Sequence, residues 1–398
     1  VNGNPVTGTE GSIPPATSFD EDQIEIVTVI QNAGLVPDHN DLTQLWQAIQ
    51  ALIGQKYITT AVVRKVHGAG ADFVDLNSAL AWLAPYIITA SGSVTFMIAA
   101  GRWTYTQTVE INHPNANRIF IQGAALLGGA PDPANISVTG YHNSADGTNQ
   151  IIYLRSVFGT ELSFTGGVTG FRCLSEGVLL RYLLITGSQS AQGNYGNGIE
   201  VYSDVYADCL AIWGMGNVGI AINGARFVMS SSLSITVCFS TQSGIVVSSG
   251  AFEGTSPGQV IICSNGMVGL YMLGGWFTVQ NLDCRGNNPG QTVGAIYLKA
   301  GSHVNCTINS SYNNACGVYV AGASTLQGEF SNYVSNTGVG LYMDGGKAWI
   351  NGSWLQSNYP FDVDINGGGM CDSTGAGYGT WSPPWNSWIN GYDAYLRH

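Results

Sequence analysis

Residues 198–203 read GIEVYS, and the same short pattern returns six more times before the chain ends. The later copies are GIAING from Gly219, GIVVSSG from Gly244, GLYMLGG from Gly269, AIYLKAG from Ala295, GVYVAGA from Gly317 and GLYMDGG from Gly340. Successive copies start 21, 25, 25, 26, 22 and 23 residues apart. Self-similarity at a period of about 20–50 residues marks a solenoid. In each copy the second and fourth positions are apolar, from Ile199 and Val201 to Leu341 and Met343. A period of two belongs to a strand with one buried face. Glycine follows most copies, where the chain must bend sharply. So short a repeat cannot hold a strand, a long helix and two loops, but it holds three short strands and three turns. The sequence predicts a mainly β chain, a right-handed parallel β-helix with one coil per repeat.

At 398 residues the chain has room for two or more domains of about 150 residues each. A solenoid, however, grows in one dimension and uses the whole length as one domain. Glycine, at 54 residues, is about twice as frequent as usual, and charged residues are only 10% against about 25% in an ordinary domain. Ser, Thr, Asn and Tyr take their place, giving the sparsely charged polar surface expected of an exposed rod or a glycan-facing protein. A net charge of −12 argues against nucleic acid as a partner, because phosphate binding needs basic patches. No run of 18 apolar residues is present, so no membrane-inserted helix is expected. No signal peptide is expected at Val1.

Cys209, Cys238, Cys263, Cys284 and Cys306 fall about one per coil, with no CxxC pair. Buried cysteine behaves as a small hydrophobe, so stacked interior thiols are expected. No Cys/His cluster has zinc-ligand spacing, and neither metal nor cofactor is expected.

Before the repeats the chain changes character twice. Residues 1–18 read as an extended arm. Residues 19–33 carry Asp20, Glu21 and Asp22 where a helix N-terminus favours acid, and Gly34 stops the helix. A second helical pattern has Leu42, Leu45, Trp46, Ile49, Leu52 and Ile53 on one stripe. Helices this short need a partner surface, either each other or further copies of the chain. Leu76, Ala79, Leu80 and Leu83 then form one helical face that would cap the open end of the solenoid. Strands are expected at 93–103, 107–112, 118–123 and 136–141. From Met370 onward the repeat lapses into a tail rich in Trp, Tyr, Gly and Pro, read as a distal cap or tip.

Two stretches resemble known proteins. SFDEDQIEIVTVIQNAGLVPDHNDLTQLWQAIQALI (18–53) resembles the N-terminal helical segment of phage tail fibre proteins. GAGADFVDLNSALAWL (68–83) with GSVTFMIAAGRWTYTQTVEINHPNANRIFIQGA (92–124) resembles the start of β-helix tail spikes and fibres, and more loosely that of pectate-lyase-like proteins. The order, attachment helices and then β-helix, is that of tail spikes and fibres. The resemblance implies a homotrimer in the virion. It would attach through its N-terminal region to other tail or baseplate proteins and act at the host cell surface on a bacterial surface polysaccharide. Members of this group vary at the active site and many bind without cleaving, so no catalytic motif carries over. The domain reading is an arm and helical attachment region over 1–60, the capped β-helix over 61–369, and an aromatic-rich cap or tip over 370–398.

The third position of each copy should point outward. It reads Glu200, Ala221, Val246, Tyr271, Tyr297, Tyr319 and Tyr342. Four successive tyrosines would stack at about 4.8 Å per coil. Three readings stay open: a subunit contact, a glycan groove, or a plain surface ladder held by aromatic contact. Hydrolysis of a sugar chain usually needs two carboxyl groups about 5–5.5 or 6.5–9.5 Å apart. Glu200, Asp204 and Asp208 share one coil and supply the candidate pairs; Glu253, Asp283, Glu329 and Asp344 are scattered. Asp283 and Arg285 share a face and read as a surface ion pair. For a lyase, Lys299 and His303 lack an acidic neighbour in the sequence. DVDINGGGMCDS (362–373) begins like a calcium loop but has Ser373 where the bidentate glutamate belongs. Asn217, Asn265, Asn314, Asn336 and Asn358 recur before the coils, as a stacked amide ladder would. The leading function is recognition of a surface glycan. A depolymerase (endoglycosidase or lyase) on the same scaffold and a structural adaptor fibre are the alternatives.

Overall fold

The computed structural model describes residues 16–397, apart from 39–40, 42, 54–55, 140–143, 189–194, 231–232, 255–257, 289–292, 314–315, 359–361, 373–376, 379–386 and 391–394. It is a mainly β, parallel β-solenoid of about ten turns with few helices. Each regular coil gives one strand to each of three parallel ladders. In the coil of GIEVYS these are Ile199–Val201 and then the two halves of Val205–Trp213. The first ladder stacks Ile199 on Ile220, Ile245, Leu270, Ile296, Val318 and Leu341. That is the register of the sequence repeat with no slip. The opening glycines have a steric cause. A Cβ on Gly219 would lie 2.6 Å from the carbonyl oxygen of Gly244, and one on Gly244 2.7 Å from that of Gly269. Coils stack closely enough there that a side chain at Gly219 or Gly244 would force the neighbouring coil aside, and of the seven copies only the one at Ala295 opens on another residue.

The corners repeat as strictly as the strands. After the first-ladder strand, Gly224, Ser249, Gly274, Ala300, Gly322, Gly345 and Gly367 all take positive φ, between 55° and 83°. After the third-ladder strand, Gly214, Phe239, Ser264, Gly286, Tyr312, Ser335 and Ser357 do the same. The residue following that second column completes an amide ladder. Asn265 donates to Asn287 (2.9 Å), Asn287 to Asn313 (3.3 Å), Asn313 to Asn336 (2.9 Å) and Asn336 to Asn358 (2.9 Å). Each accepting Oδ1 also takes the backbone N–H one coil away. Asn265, Asn336 and Asn358 stand where the sequence placed them. Asn287 and Asn313 fill the intervening coils, Asn217 lies outside this chain of amides, and Asn314 lies outside the described residues. Inside, Phe227, Phe252 and Phe277 stack at 5.1 and 4.9 Å amid one continuous apolar core.

Two helices, α1 (Ala16–Asn32) and α2 (Gln44–Ile53), pack as a hairpin with Ile30 and Ala48 buried. The acidic run at 20–22 falls in the second turn of α1, not the first, because the helix starts earlier than expected. Gly34, at φ 76°, ends it. Helix α3 (Leu76–Leu83) is capped by Asp75, whose carboxylate accepts from the Ser78 N–H at 2.7 Å. Leu76, Ala79 and Leu83 close over the first coils, and Leu80 packs partly buried against them.

Of the segment 136–141 expected as a strand, the described residues 136–139 are not one. They belong to an excursion between Ile119–Gln122 and Thr160–Phe164 that also contains α4 (Ser144–Val157). The excursion lies across the outer face of the third ladder. Ile151, Leu154, Val157 and Phe158 cover Leu184, Cys209 and Ala211, and Ile136 covers Cys238, Phe239, Ile261 and Cys263. Two cysteine expectations change here. Cys238 and Cys263 are joined in a disulfide between adjacent coils. Cys209 faces the excursion, so of the five only Cys284 and Cys306 line the interior. Both Cys238 and Cys263 follow an interior residue, Val237 and Ile262, so they point out of the coil rather than in. Beyond Met370, Met370–Asp372, Ser387–Asn390 and Tyr395–Arg397 continue the ladders in parallel register, so coils run on where the repeat pattern fades.

Candidate functional site

Period-two alternation in the first ladder turns Leu270, Met272, Ile296, Leu298, Val318, Val320, Leu341 and Met343 inward, all fully buried. The residues between them must therefore face out. Tyr271, Tyr297, Tyr319 and Tyr342 occupy successive rungs in direct register, each half-buried. Ring centroids are 5.3, 4.9 and 4.7 Å apart, with interplanar angles of 5°, 54° and 11°. The rings thus cover one another's faces. What the column offers to a partner is a row of edges and hydroxyls, opened only at the tilted step between Tyr297 and Tyr319.

Charged groups flank the hydroxyls. Lys299 lies 5.4 Å from the Tyr271 ring centre and 5.7 Å from that of Tyr297. A hydrogen bond to Tyr271 holds its ammonium pKa up. The Tyr319 hydroxyl donates to Asp344 at 3.4 Å. Burial, and then the Asp344 charge, push the Tyr319 phenol well up. Burial and then Asp364 raise Tyr342. Asp364 stacks directly under Tyr342, and its own pKa is raised by burial. The face therefore presents a column of phenolic O–H donors ending on Asp364, with Lys299 and Asp344 on the outward column beside it.

The carboxylates proposed from the sequence are committed elsewhere. Glu200 takes Arg172 at 2.8 Å, Thr169 at 2.9 Å and Asn197 at 2.9 Å. Burial raises its pKa, but these three partners outweigh it and hold it below the usual range. Asp204 pairs with Arg226 at 2.6 Å, and Asp208 with Arg181 at 2.6 Å. Three different arginines separate the three acids, which removes them as an acid/base pair. Asp283 and Arg285 do pair, at 2.6 Å, yet not at the surface: the excursion buries them, and Arg285 also donates to the Pro133 carbonyl at 2.9 Å. The calcium-like stretch forms the strand Val363–Asn366 and a turn into Met370–Asp372. Asp362 accepts from Asn358 and Asp364 from Asn366. Asp344, read from the sequence as a scattered acid, and Asp364, met there only in the calcium-like stretch, are the carboxyl groups whose nearness to each other the sequence did not show. Asp344 pairs in register with Asn366 and Tyr342 with Asp364, so the two acids are diagonal neighbours on the outward face.

No family model matches the sequence, and no curated protein matches it. Solved structures with a similar fold include an alginate lyase from Paenibacillus sp. FPU-7, at 12% identity and TM-score 0.43, covering 85% of this chain and 99% of that one. The A-module of a mannuronan C-5 epimerase from Azotobacter vinelandii aligns at 10% identity and TM-score 0.40, covering 81% and 94%. The Dettilon tailspike protein aligns at 12% identity and TM-score 0.24, covering 94% and 73%.

Proposed function

We propose that the chain is a subunit of a homotrimeric phage tail fibre or tail spike that binds a bacterial surface polysaccharide along the tyrosine column. The observation that carries this is the unbroken row of tyrosine edges, Tyr271 to Tyr342, with Lys299 and Asp344 beside it. A polymer of hydroxyl groups needs donors and acceptors repeated at short, regular intervals, and one coil supplies a set about every 4.8 Å. The right-handed winding belongs to the same proposal, since right-twisted strands favour that sense in parallel crossovers. Attachment to other tail or baseplate proteins, or to fellow subunits, falls to the α1–α2 hairpin. Its exposed Ile24 and Trp46, 62% and 59% accessible, await a covering surface. The protein then belongs to the virion and works at the host surface.

The test replaces Tyr297 and Tyr319 together by alanine. Each truncation removes about 1–3 kcal/mol if the ring is buried by the ligand, so adsorption to host cells is expected to fall about ten-fold or more with the oligomer intact. Unchanged adsorption would instead favour the adaptor fibre.

One observation favours the depolymerase as a second reading. Diagonal neighbours two residues apart on adjacent strands lie about 8 Å apart, from a strand spacing of about 4.8 Å and a rise of about 3.3 Å per residue. With their backbones so spaced, Asp344 and Asp364 can set their carboxyl groups within the range of about 6.5–9.5 Å used by inverting glycosidases, and Asp364, raised by its burial, suits the acid. Release of oligosaccharides from host polysaccharide, lost in Asp364→Asn, would establish it. Absence of any release would leave binding alone.

A further inference from the structure

The outward row on the second ladder reads Arg226, Ala251, Trp276, His303, in direct register. Ala251 is the one small residue in this run, and it leaves a gap between a guanidinium and an indole two rungs apart. The gap opens into a hollow of about 540 Å³ at the corner between the first and second ladders, floored by Gly224, Gly250 and Gly275. Two rungs span about 10 Å. A flat ring at contact distances of about 3.5–4.0 Å from each wall needs about 7–8 Å, and a puckered pyranose needs slightly more. Along the ladder, one ring fits between the two walls.

The walls are held in place. His303 packs on Trp276, centroids 4.7 Å apart, while the indole stays 60% accessible. Arg226 forks onto Asp204 through Nε (2.8 Å) and Nη2 (2.6 Å), and its Nη1 lies 3.9 Å from Glu253. The charges decide the ligand. Of the charged groups lining the hollow, the one guanidinium is already paired with the Asp204 carboxylate, so no uncompensated positive charge is left to hold an acidic sugar. The polar atoms of the hollow instead suit the hydroxyls of a neutral ring. On its own coil Trp276 follows Tyr271, the top of the tyrosine column, across a single corner.

We infer that this hollow is a subsite for one uncharged sugar ring, seated over Ala251 between Trp276 and Arg226, at the upper end of the polysaccharide path. This rests on the glycan-binding reading above and adds the class of sugar to it.

The experiment uses the full chain against immobilised bacterial capsular and O-antigen polysaccharides, neutral and acidic, with light scattering on every variant. Ala251→Phe fills the gap with a ring of the protein's own and removes no existing contact. Trp276→Ala, at an exposed position, serves if the first variant misfolds. Wild type is expected to bind a neutral polysaccharide, and each variant to bind it at least ten-fold more weakly with unchanged mass. If binding is lost in the Tyr297/Tyr319 double variant but unchanged in Ala251→Phe and Trp276→Ala, the subsite is wrong and the tyrosine reading stands. Selection of acidic polysaccharides alone by wild type overturns the class of sugar. A change of mass in Trp276→Ala assigns the indole to a subunit contact and overturns the subsite. No binding by wild type to any polysaccharide overturns both.

Discussion

Ile245 and Ser248 stand three residues apart on one rung and face opposite sides of the coil wall. Ile245→Asp would bury an unpaired charge at a cost of at least several kcal/mol, so soluble expression is expected to be lost. Ser248→Asp is expected to express normally, and comparing the soluble yields checks the register. Asn313→Leu strips the acceptor from the buried backbone N–H of Asn287, whose side-chain amide keeps the Ile262 carbonyl. An orphaned buried group costs about 1–3 kcal/mol, so the melting temperature should drop while Asn217→Leu, outside the ladder, changes it little. Glu200 gives a pH prediction. Its folded pKa lies below the unfolded one, so its contribution is present above the unfolded carboxylate value and is lost as pH falls through the folded one. Melting curves below pH 4.5 should therefore be flatter in Glu200→Gln than in wild type. The outward tyrosines were legible because alternation is a local rule. Asn265, Asn336 and Asn358 of the amide ladder were legible too, while Asn287 and Asn313 were missed because turn lengths vary between coils. Asp364 was read as a loop ligand because its rung, VDIN, lacks the opening glycine.

The excursion with α4 is the element that sequence patterning passed over, and the signal for it lies in the strands beneath. Leu210-Ala211-Ile212-Trp213 and Val260-Ile261-Ile262 are apolar at both alternating positions. A strand buried on both faces loses its period of two, and here the second face is covered by a segment from about a hundred residues earlier, as in the Ser234 hydroxyl bond to the Pro131 carbonyl at 2.8 Å. Replacing residues 124–159 by a short linker would expose Leu184, Ala211 and Ile261, at about 1.5–3 kcal/mol for each large apolar side chain. The truncated protein is expected to bind hydrophobic dyes and aggregate. A soluble, monodisperse product would show that this face tolerates water. Where the excursion lies, the third ladder is covered in cis.

The rod as a whole was legible because each coil repeats the same solution of strand, corner and strand. Contacts between chains, by contrast, would leave no period in a sequence. The 42.0 kDa chain is expected to scatter light as a particle about three times that mass. Removing 16–53 should lower that mass or abolish attachment to tail proteins while the β circular-dichroism signal persists, because α1 and α2 stand outside the coil core.

The two columns of left-handed corners bear on heredity as well as shape. Every regular coil begins and ends in the same backbone state, so a gene can gain or lose one coil's worth of codons without disturbing the joints on either side. Excising 245–269 would join Gly244 to Leu270 and restore a GLYM rung at the seam. Length of the solenoid and chemistry of its face are then separate traits, the first adjustable by duplication and the second by single substitutions such as those that set tyrosine on four neighbouring rungs.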